Sequence, residues 1–286
     1  MKGIVLAGGT GSRLWPVTWG VSKQLIPVYD KPLVHYPIAT LMLAGIREML
    51  IISTPQDFDS FKRLLGSGEK YGVRFDFAIQ EEPRGLADAF IVGANFVGKD
   101  KVSLILGDNI FYGSGLGSQL SELRNVDGAH IFAYKVQDPQ RYGVVEFDST
   151  GKVVSLEEKP QNPLSQYAVP GLYFYDNQVI DIAQEIKPSS RGELEITSVN
   201  QKYLQNQKLY TTILERGTAW LDTGTFESLN AASAFIQIIE ERQGQKISCL
   251  EEVAWRNGWI SDSDLNARAD EYKSSPFADY LRSLLA

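Results

Sequence analysis

The chain is poor in the side chains that most metal and thiol sites use. Of 286 residues, one is cysteine (Cys249) and two are histidine (His35 and His130). One thiol cannot close an intrachain disulfide, which fits a reducing compartment. So few imidazoles and thiols leave little for a zinc site and argue against a histidine-based triad. Positive charge is also in deficit. Against 35 Asp and Glu stand 28 Lys and Arg, a net charge of −7, whereas a nucleic-acid surface wants a basic stripe. Long apolar runs are missing too. None approaches the ~20 residues of a membrane-spanning helix. The N-terminal KGIVLA (2–7) is too short for a secretory leader and runs straight into glycines. A soluble cytoplasmic protein with no nucleic-acid or membrane partner is expected, its chemistry carried by carboxylates, lysines and arginines. An apolar fraction of 43% suffices for a sizeable core.

The first half alternates between two apolar periods. KGIVLA, EMLIIST (48–54), VRFDFAI (73–79) and VSLILG (102–107) read as short buried strands. Between them LVHYPIATLMLAGI (33–46), FDSFKRLL (58–65) and GLADAFIVGANFV (85–97) carry helical spacing. The alternation predicts an α/β fold, a mostly parallel central sheet with flanking helices. PVYDKP (27–32) reads as loop. In the middle, AHIFAYKV (129–136), YGVVEFD (142–148), KVVSLEE (152–158) and AVPGLYFYD (168–176) follow one another closely, which predicts a β-rich extension. GELEITSVNQKYLQNQ (192–207) reads as a helix and KLYTTIL (208–214) as another strand. A longer helix follows Thr225 and stops at Gly244. The tail, 246–286, reads as short helical pieces with exposed-looking Trp255, Trp259, Tyr272 and Phe277, either a capping subdomain or an oligomer contact.

LAGGTGSRLWPVT (6–18) places Gly8, Gly9 and Gly11 directly after the first strand. It is no Walker loop, because no Gly-Lys followed by Ser or Thr is present. Nor is it a dinucleotide fingerprint, since the third glycine and the ribose-binding acid are missing, so a dehydrogenase is disfavoured. A phosphate cradle fits better. Glycine amides form a concavity of N–H donors, Arg13 adds a planar fork, and Lys23 adds a second cation. An ordinary strand-to-helix turn with a surface arginine stays open. VSLILGDN ends in Asp108, at the carboxyl end of a strand, where α/β sheets bind ligands. AWLDTGT (219–225) offers Asp222. If the two converge, they suit Mg²⁺, which takes oxygen ligands and keeps waters. Read alone, each is equally an Asx-turn or capping aspartate. EEKP (157–160) pairs a hydroxyl acceptor with a phosphate donor, or is a solvated charge cluster. RGELEIT (191–197) can be read as the same pairing or as a helix N-terminal segment.

Ten segments in order, among them LAGGTGSRLWPVT, SKQLIPVYDKP, LGDNIFYG, DPQRYGVVEFD, SLEEKP, RGELEIT and AWLDTGTF, resemble the glucose-1-phosphate thymidylyltransferases, enzymes of the nucleotide-diphospho-sugar transferase fold. The resemblance covers nearly the whole chain. It implies a nucleotide-binding half (1–125) and a sugar-phosphate half (126–243) of one catalytic domain, with a helical subdomain over 244–286. It implies dTTP held by Gly8, Gly9, Gly11, Ser12, Arg13, Lys23 and Gln24, the base read by Gln80 and Gly85, and Mg²⁺ on Asp108 and Asp222. Asn109, Tyr142, Gly143, Glu158, Lys159, Val169 and Arg191 would place the sugar phosphate. The implied reaction joins dTTP and glucose 1-phosphate into dTDP-glucose and pyrophosphate, with Arg13, Lys23, Asp108 and Lys159 as catalytic groups. A homotetramer supplying dTDP-rhamnose for cell-envelope polysaccharide is implied as well. A uridylyltransferase and a non-catalytic nucleotide-sugar sensor are the competing readings. The chain departs from the family pattern at Arg84, Asp88 and Pro170, and at Ser114 near a second nucleotide site.

Overall fold

The computed structural model describes residues 1–286. Its strands are β1 (Lys2–Ala7), β2 (Pro27–Val28), β3 (Lys31–Pro32), β4 (Glu48–Ser53), β5 (Arg74–Ile79), β6 (Val102–Leu106) and β7 (Asn109–Tyr112), then β8 (Ala129–Lys135), β9 (Gly143–Phe147), β10 (Val153–Glu158), β11 (Tyr167–Ala168), β12 (Leu172–Tyr175), β13 (Leu209–Ile213) and β14 (Ala219–Asp222). The helices are α1 (His35–Leu43), α2 (Phe58–Leu65), α3 (Asp88–Val92), α4 (Ala94–Val97), α5 (Leu116–Glu122) and α6 (Val179–Glu185), then α7 (Ile196–Gln205), α8 (Phe226–Gln243), α9 (Leu250–Arg256), α10 (Asp262–Glu271) and α11 (Pro276–Ser283).

One ten-stranded sheet runs β10-β9-β11-β8-β12-β6-β1-β4-β5, with β13 added to β8. The β6-β1-β4-β5 half is parallel, and β12 joins it antiparallel to the β-rich half. Alternation along the strands sorts side chains to two cores. Val5, Met49 and Ile51 pack toward α1 and α2 with Phe61 and Leu65. Ile4, Leu6, Leu50 and Ile52 pack the other way, with Phe90 of α3 and Tyr203 of α7. Both faces of the parallel strands are therefore covered, as apolar runs without polar alternation require.

Five expectations need correction. PVYDKP is a miniature hairpin, β2 paired with β3, rather than loop. The 85–97 segment is two short helices, broken at Gly93, where a Cβ would lie 2.9 Å from both the Ala89 carbonyl and Ile4 Cδ1, so helix and sheet approach more closely than any side chain allows. AVPGLYFYD is split into β11 and β12 at Pro170–Gly171, because proline cannot donate to a ladder. The tail aromatics are half-buried, not exposed: Tyr272 and Phe277 pack over a small core of Cys249, Leu265, Ala269, Ala278 and Leu281. The helix over 192–207 begins only at Ile196. The long helix after Thr225 does end at Gly244, whose φ of 64° is the left-handed conformation that glycine permits.

A buried ionic cluster ties the β2–β3 hairpin to α8 and the chain beyond it. Glu240 accepts from Lys31 Nζ (2.9 Å), Lys246 Nζ (3.1 Å) and the Ile247 amide (2.8 Å), and Asp30 pairs with both lysines. Lys31 is 3% exposed and Glu240 6%. Removing one charge of such a cluster strands the others in low dielectric. Glu240→Leu should cost about 3–5 kcal/mol of unfolding free energy in urea titration; a loss under 1 kcal/mol would show that the cluster contributes little to stability.

Candidate active site

Parallel pairing explains why the glycine turn and Asp108 meet. β1 and β6 are adjacent and in register at Leu6 and Leu106, so the segments leaving their carboxyl ends emerge side by side. β14 pairs antiparallel with β7, setting Asp222 opposite Asn109. Thr223 then locks the corner by donating its hydroxyl to the Asp108 carbonyl at 2.9 Å. Two aspartates remote in sequence thus share one rim.

A chain of hydrogen bonds aims Asp108. Trp220 Nε1 (2.6 Å) and the Gly171 amide (3.1 Å) both donate to Asn109 Oδ1. That fixes the amide so that Asn109 Nδ2 donates to Asp108 Oδ1 at 2.8 Å. Lys23 Nζ, nearly buried, holds Asp108 Oδ2 at 2.6 Å. Burial works against ionising Asp108, but Lys23 and Asn109 together outweigh it and hold the carboxyl below its ordinary range. Asp222 goes the other way. Burial and the neighbouring Asp108 charge push it up, against the pull of Lys23, Arg141 and Arg13. Arg141 Nη2 stands 3.4 Å from Asp222 Oδ2. Tyr142, whose phenol burial pushes up to about 12, donates to the same oxygen at 3.5 Å.

The glycine turn offers donors. Gly9 (φ 100°) and Gly11 (φ 58°) take conformations that L side chains rarely adopt. As a result, the amides of Gly9, Thr10, Gly11, Ser12 and Arg13 donate to no group of the chain. Such a run of unpaired N–H groups is an anion-binding concavity. Arg13 makes no ion pair, and its guanidinium packs with Asp222 around Gly224.

Two cavities meet at Asp108. One of about 430 Å³ is walled by Arg13, Asp108, Asn109, Tyr142, Gly143, Glu158, Lys159, Val169 and Asp222. The other, about 200 Å³, is lined by Gly8, Gly9, Gln24, Gln80, Gly85 and again Asp108. Of the residues singled out from sequence, Lys23 lines neither cavity but holds Asp108, and Gly11 and Ser12 lie outside both cavities. Arg191 also stands behind the wall, pairing with Glu158 (3.6 Å), Glu193 (3.0 Å) and Glu195 (3.5 Å). Lys159 is held at φ 45°, a conformation costly for a side-chain-bearing residue and typical of functional positions. Its ammonium is 3.9 Å from Glu158 Oε1.

Trp220, Thr197, Arg141 and Glu195 line the larger cavity and escaped the residue-by-residue reading. Thr197 donates to Glu158 at 2.5 Å. Glu195 and Thr197 lie within the RGELEIT segment already singled out, but nothing local distinguishes them there, and Arg141 sits in a short polar turn (139–141) whose neighbours only the fold supplies. Only Trp220, an indole that needs a partner when buried, hinted at a polar neighbour.

Paired carboxylates, cations and unpaired amides at the carboxyl ends of a parallel sheet define a nucleotidyltransferase. The nucleotidyl transferase family model matches residues 2–238. The chain is 60% identical to the glucose-1-phosphate thymidylyltransferase of Mycolicibacterium smegmatis, over all of this chain and 99% of that one. It is 54% identical to the Neisseria meningitidis enzyme, with the same coverage. Among solved structures, a candidate glucose-1-phosphate thymidylyltransferase from Bacillus anthracis, in complex with sucrose, superposes with a TM-score of 0.76 at 39% identity, covering 82% of this chain and 94% of that one. A UDP-glucose pyrophosphorylase with bound UDP-glucose shares the fold (TM-score 0.72, 23% identity, 83% and 98% covered). The chain belongs to the glucose-1-phosphate thymidylyltransferases.

An acid whose pKa is raised in the folded state binds its proton more tightly there than when unfolded. Ionising it costs stability, a cost absent below the ordinary carboxylate range and complete above the raised value. Asp222→Asn should therefore stabilise the metal-free protein at pH 7 by on the order of 1 kcal/mol. The gain should vanish near pH 3; a gain that persists there would show that Asp222 is not strained by ionisation.

Proposed function

We infer that this chain transfers a thymidylyl group from dTTP to α-D-glucose 1-phosphate, releasing pyrophosphate. The observation that carries the reading is the meeting of the two cavities at Asp108. One is lined by glycines and amides that suit a base and its triphosphate, the other by carboxylates and cations that suit a sugar phosphate. A phosphate oxygen of glucose 1-phosphate attacks the α-phosphorus, and the bond from that phosphorus to the bridging oxygen of pyrophosphate breaks. No protein nucleophile is required, because the attacking phosphate is already anionic at neutral pH. Positioning and electrostatics do the remainder.

The unpaired amides of residues 9–13 and the Arg13 fork take the triphosphate oxygens. Lys159 brings the attacking phosphate in against the repulsion of the nucleotide. Glu158, fixed by Thr197, Arg191 and Lys159, accepts sugar hydroxyls. Lys23 keeps Asp108 ionised and adds positive charge beneath the α-phosphate. Asp108 and Asp222 would hold Mg²⁺. Each carboxylate retains free lone pairs, and a divalent cation would offset both the burial and the Asp108 repulsion that lift Asp222. Bound there, the ion would neutralise phosphate charge as a Lewis acid. The same reading extends to a homotetramer serving dTDP-rhamnose supply in the cytoplasm. Exposed Tyr29, Phe226 and Ile238 provide apolar surface suited to subunit contact. No helix is long and apolar enough to cross a membrane.

The test is a matrix of four triphosphates against several hexose 1-phosphates, with and without Mg²⁺, read by pyrophosphate release. Turnover should be highest with dTTP and glucose 1-phosphate and should need the metal. In the same assay Arg13→Ala should lose ~100-fold or more in kcat with an unchanged melting temperature. Preference for UTP would favour the uridylyltransferase reading, and nucleotide binding without product would favour a sensor. Wild-type kcat in Arg13→Ala would remove that side chain from the mechanism.

A further inference from the structure

The smaller cavity contains an amide whose orientation is dictated by a buried acid. Gln80 is 8% exposed and Asp88 2%. Gln80 Nε2 donates to Asp88 Oδ2 at 2.8 Å and to the Gly85 carbonyl at 3.4 Å. The other oxygen, Asp88 Oδ1, is taken by Arg84 through Nε (3.1 Å) and Nη2 (2.5 Å). A carboxylate only accepts, so both of its neighbours must turn donors toward it. Gln80 cannot flip without setting its carbonyl against two acceptors. Its Oε1 consequently points away, toward Gly8, where an added Cβ would lie 3.3 Å from it, and it accepts no hydrogen bond from the chain. Beside it the Gly85 amide donates to nothing. The cavity thus presents one free acceptor next to one free donor.

We propose that Asp88, locked by Arg84, is the positioning residue that sets this acceptor–donor order and so selects a base that presents a ring N–H beside a carbonyl. Thymine and uracil offer N3–H beside a C4 carbonyl, which matches Gln80 Oε1 and the Gly85 amide. Cytosine offers a bare N3 beside an amino group, the reverse order, and leaves both protein groups mispaired. The network does not distinguish thymine from uracil, which share that edge. This inference rests on the nucleotidyl-transfer reading of the cavity but concerns only which base it accepts.

Hydrogen-bond polarity supplies the test. In Asp88→Asn, Arg84 demands the Asn oxygen, so the Asn amino group faces Gln80 and forces it to flip, placing Nε2 in the cavity. In the double variant Arg84→Asp with Asp88→Asn, the polarity is reversed again: the Asn amino group serves the new carboxylate and its oxygen accepts from Gln80. Affinities for dTTP and dCTP are measured by calorimetry without sugar phosphate, and kcat/KM for both with glucose 1-phosphate. The wild type should favour dTTP strongly. Asp88→Asn should lower the dTTP-to-dCTP ratio by at least ~10-fold, and the double variant should return it to within ~3-fold of wild type. A ratio unmoved in Asp88→Asn overturns the proposal, as does failure of the double variant to restore it. If Asp88→Asn does not fold, the double variant decides alone, since a purely structural need for the Asp88 charge would leave it unselective. Wild-type turnover reports on the functional reading, whereas the change in binding ratio reports on Asp88.

Discussion

The whole rim is organised around one unfavourable juxtaposition, the half-buried carboxylates of Asp108 and Asp222 facing one cavity. The two acids are displaced in opposite directions: Lys23 and Asn109 hold Asp108 down against its burial, whereas burial and then the Asp108 charge push Asp222 up. Lys23, Arg13, Arg141 and the Tyr142 phenol all gather around this pair. The rim carries cations not to bind the aspartates tightly but to let them stand where phosphate must arrive. In the proposed reaction, substrate phosphates with a divalent ion would complete the arrangement electrostatically.

Holding that arrangement costs local stability at several points. Five consecutive amides forgo backbone partners at the glycine turn. Lys159 sits in a left-handed backbone conformation that glycine would adopt more easily. Asp222 is harder to ionise than an ordinary carboxylate, through burial and the neighbouring Asp108 charge. The rest of the fold offsets these defects with rigid packing. Apolar strands are covered on both faces, and a buried ionic cluster pins α8 to the β2–β3 hairpin. Such a division, strain at the rim and consistency elsewhere, is what a preorganised site requires.

Orientation matters as much as charge. Trp220 and the Gly171 amide determine which way Asn109 turns, and Asn109 then donates to Asp108 Oδ1 while Lys23 takes Oδ2. In the smaller cavity Arg84 and Asp88 do the same for Gln80. In both places an amide that is chemically ambiguous is made unambiguous by a neighbour that can only donate or only accept. The two relays lie on opposite sides of Asp108, one facing each cavity.

The sequence by itself determined the βαβ layout, because unbroken apolar runs and helical spacing are local patterns, and it marked the glycine turn, Asp108 and the stop at Gly244, because glycine and strand-end aspartate are local necessities. Gly93 and Pro170 were visible too, but their effect, breaking a helix and a strand, depends on how closely neighbouring layers approach. Only the tertiary structure brought Asp222 to Asp108, since that contact runs through the β7–β14 pairing of distant segments. It alone also turned Asp88 and Trp220 from core-like residues into orienting groups. Hydrogen-bond direction belongs to pairs of atoms in space, and spacing along a chain carries no record of it.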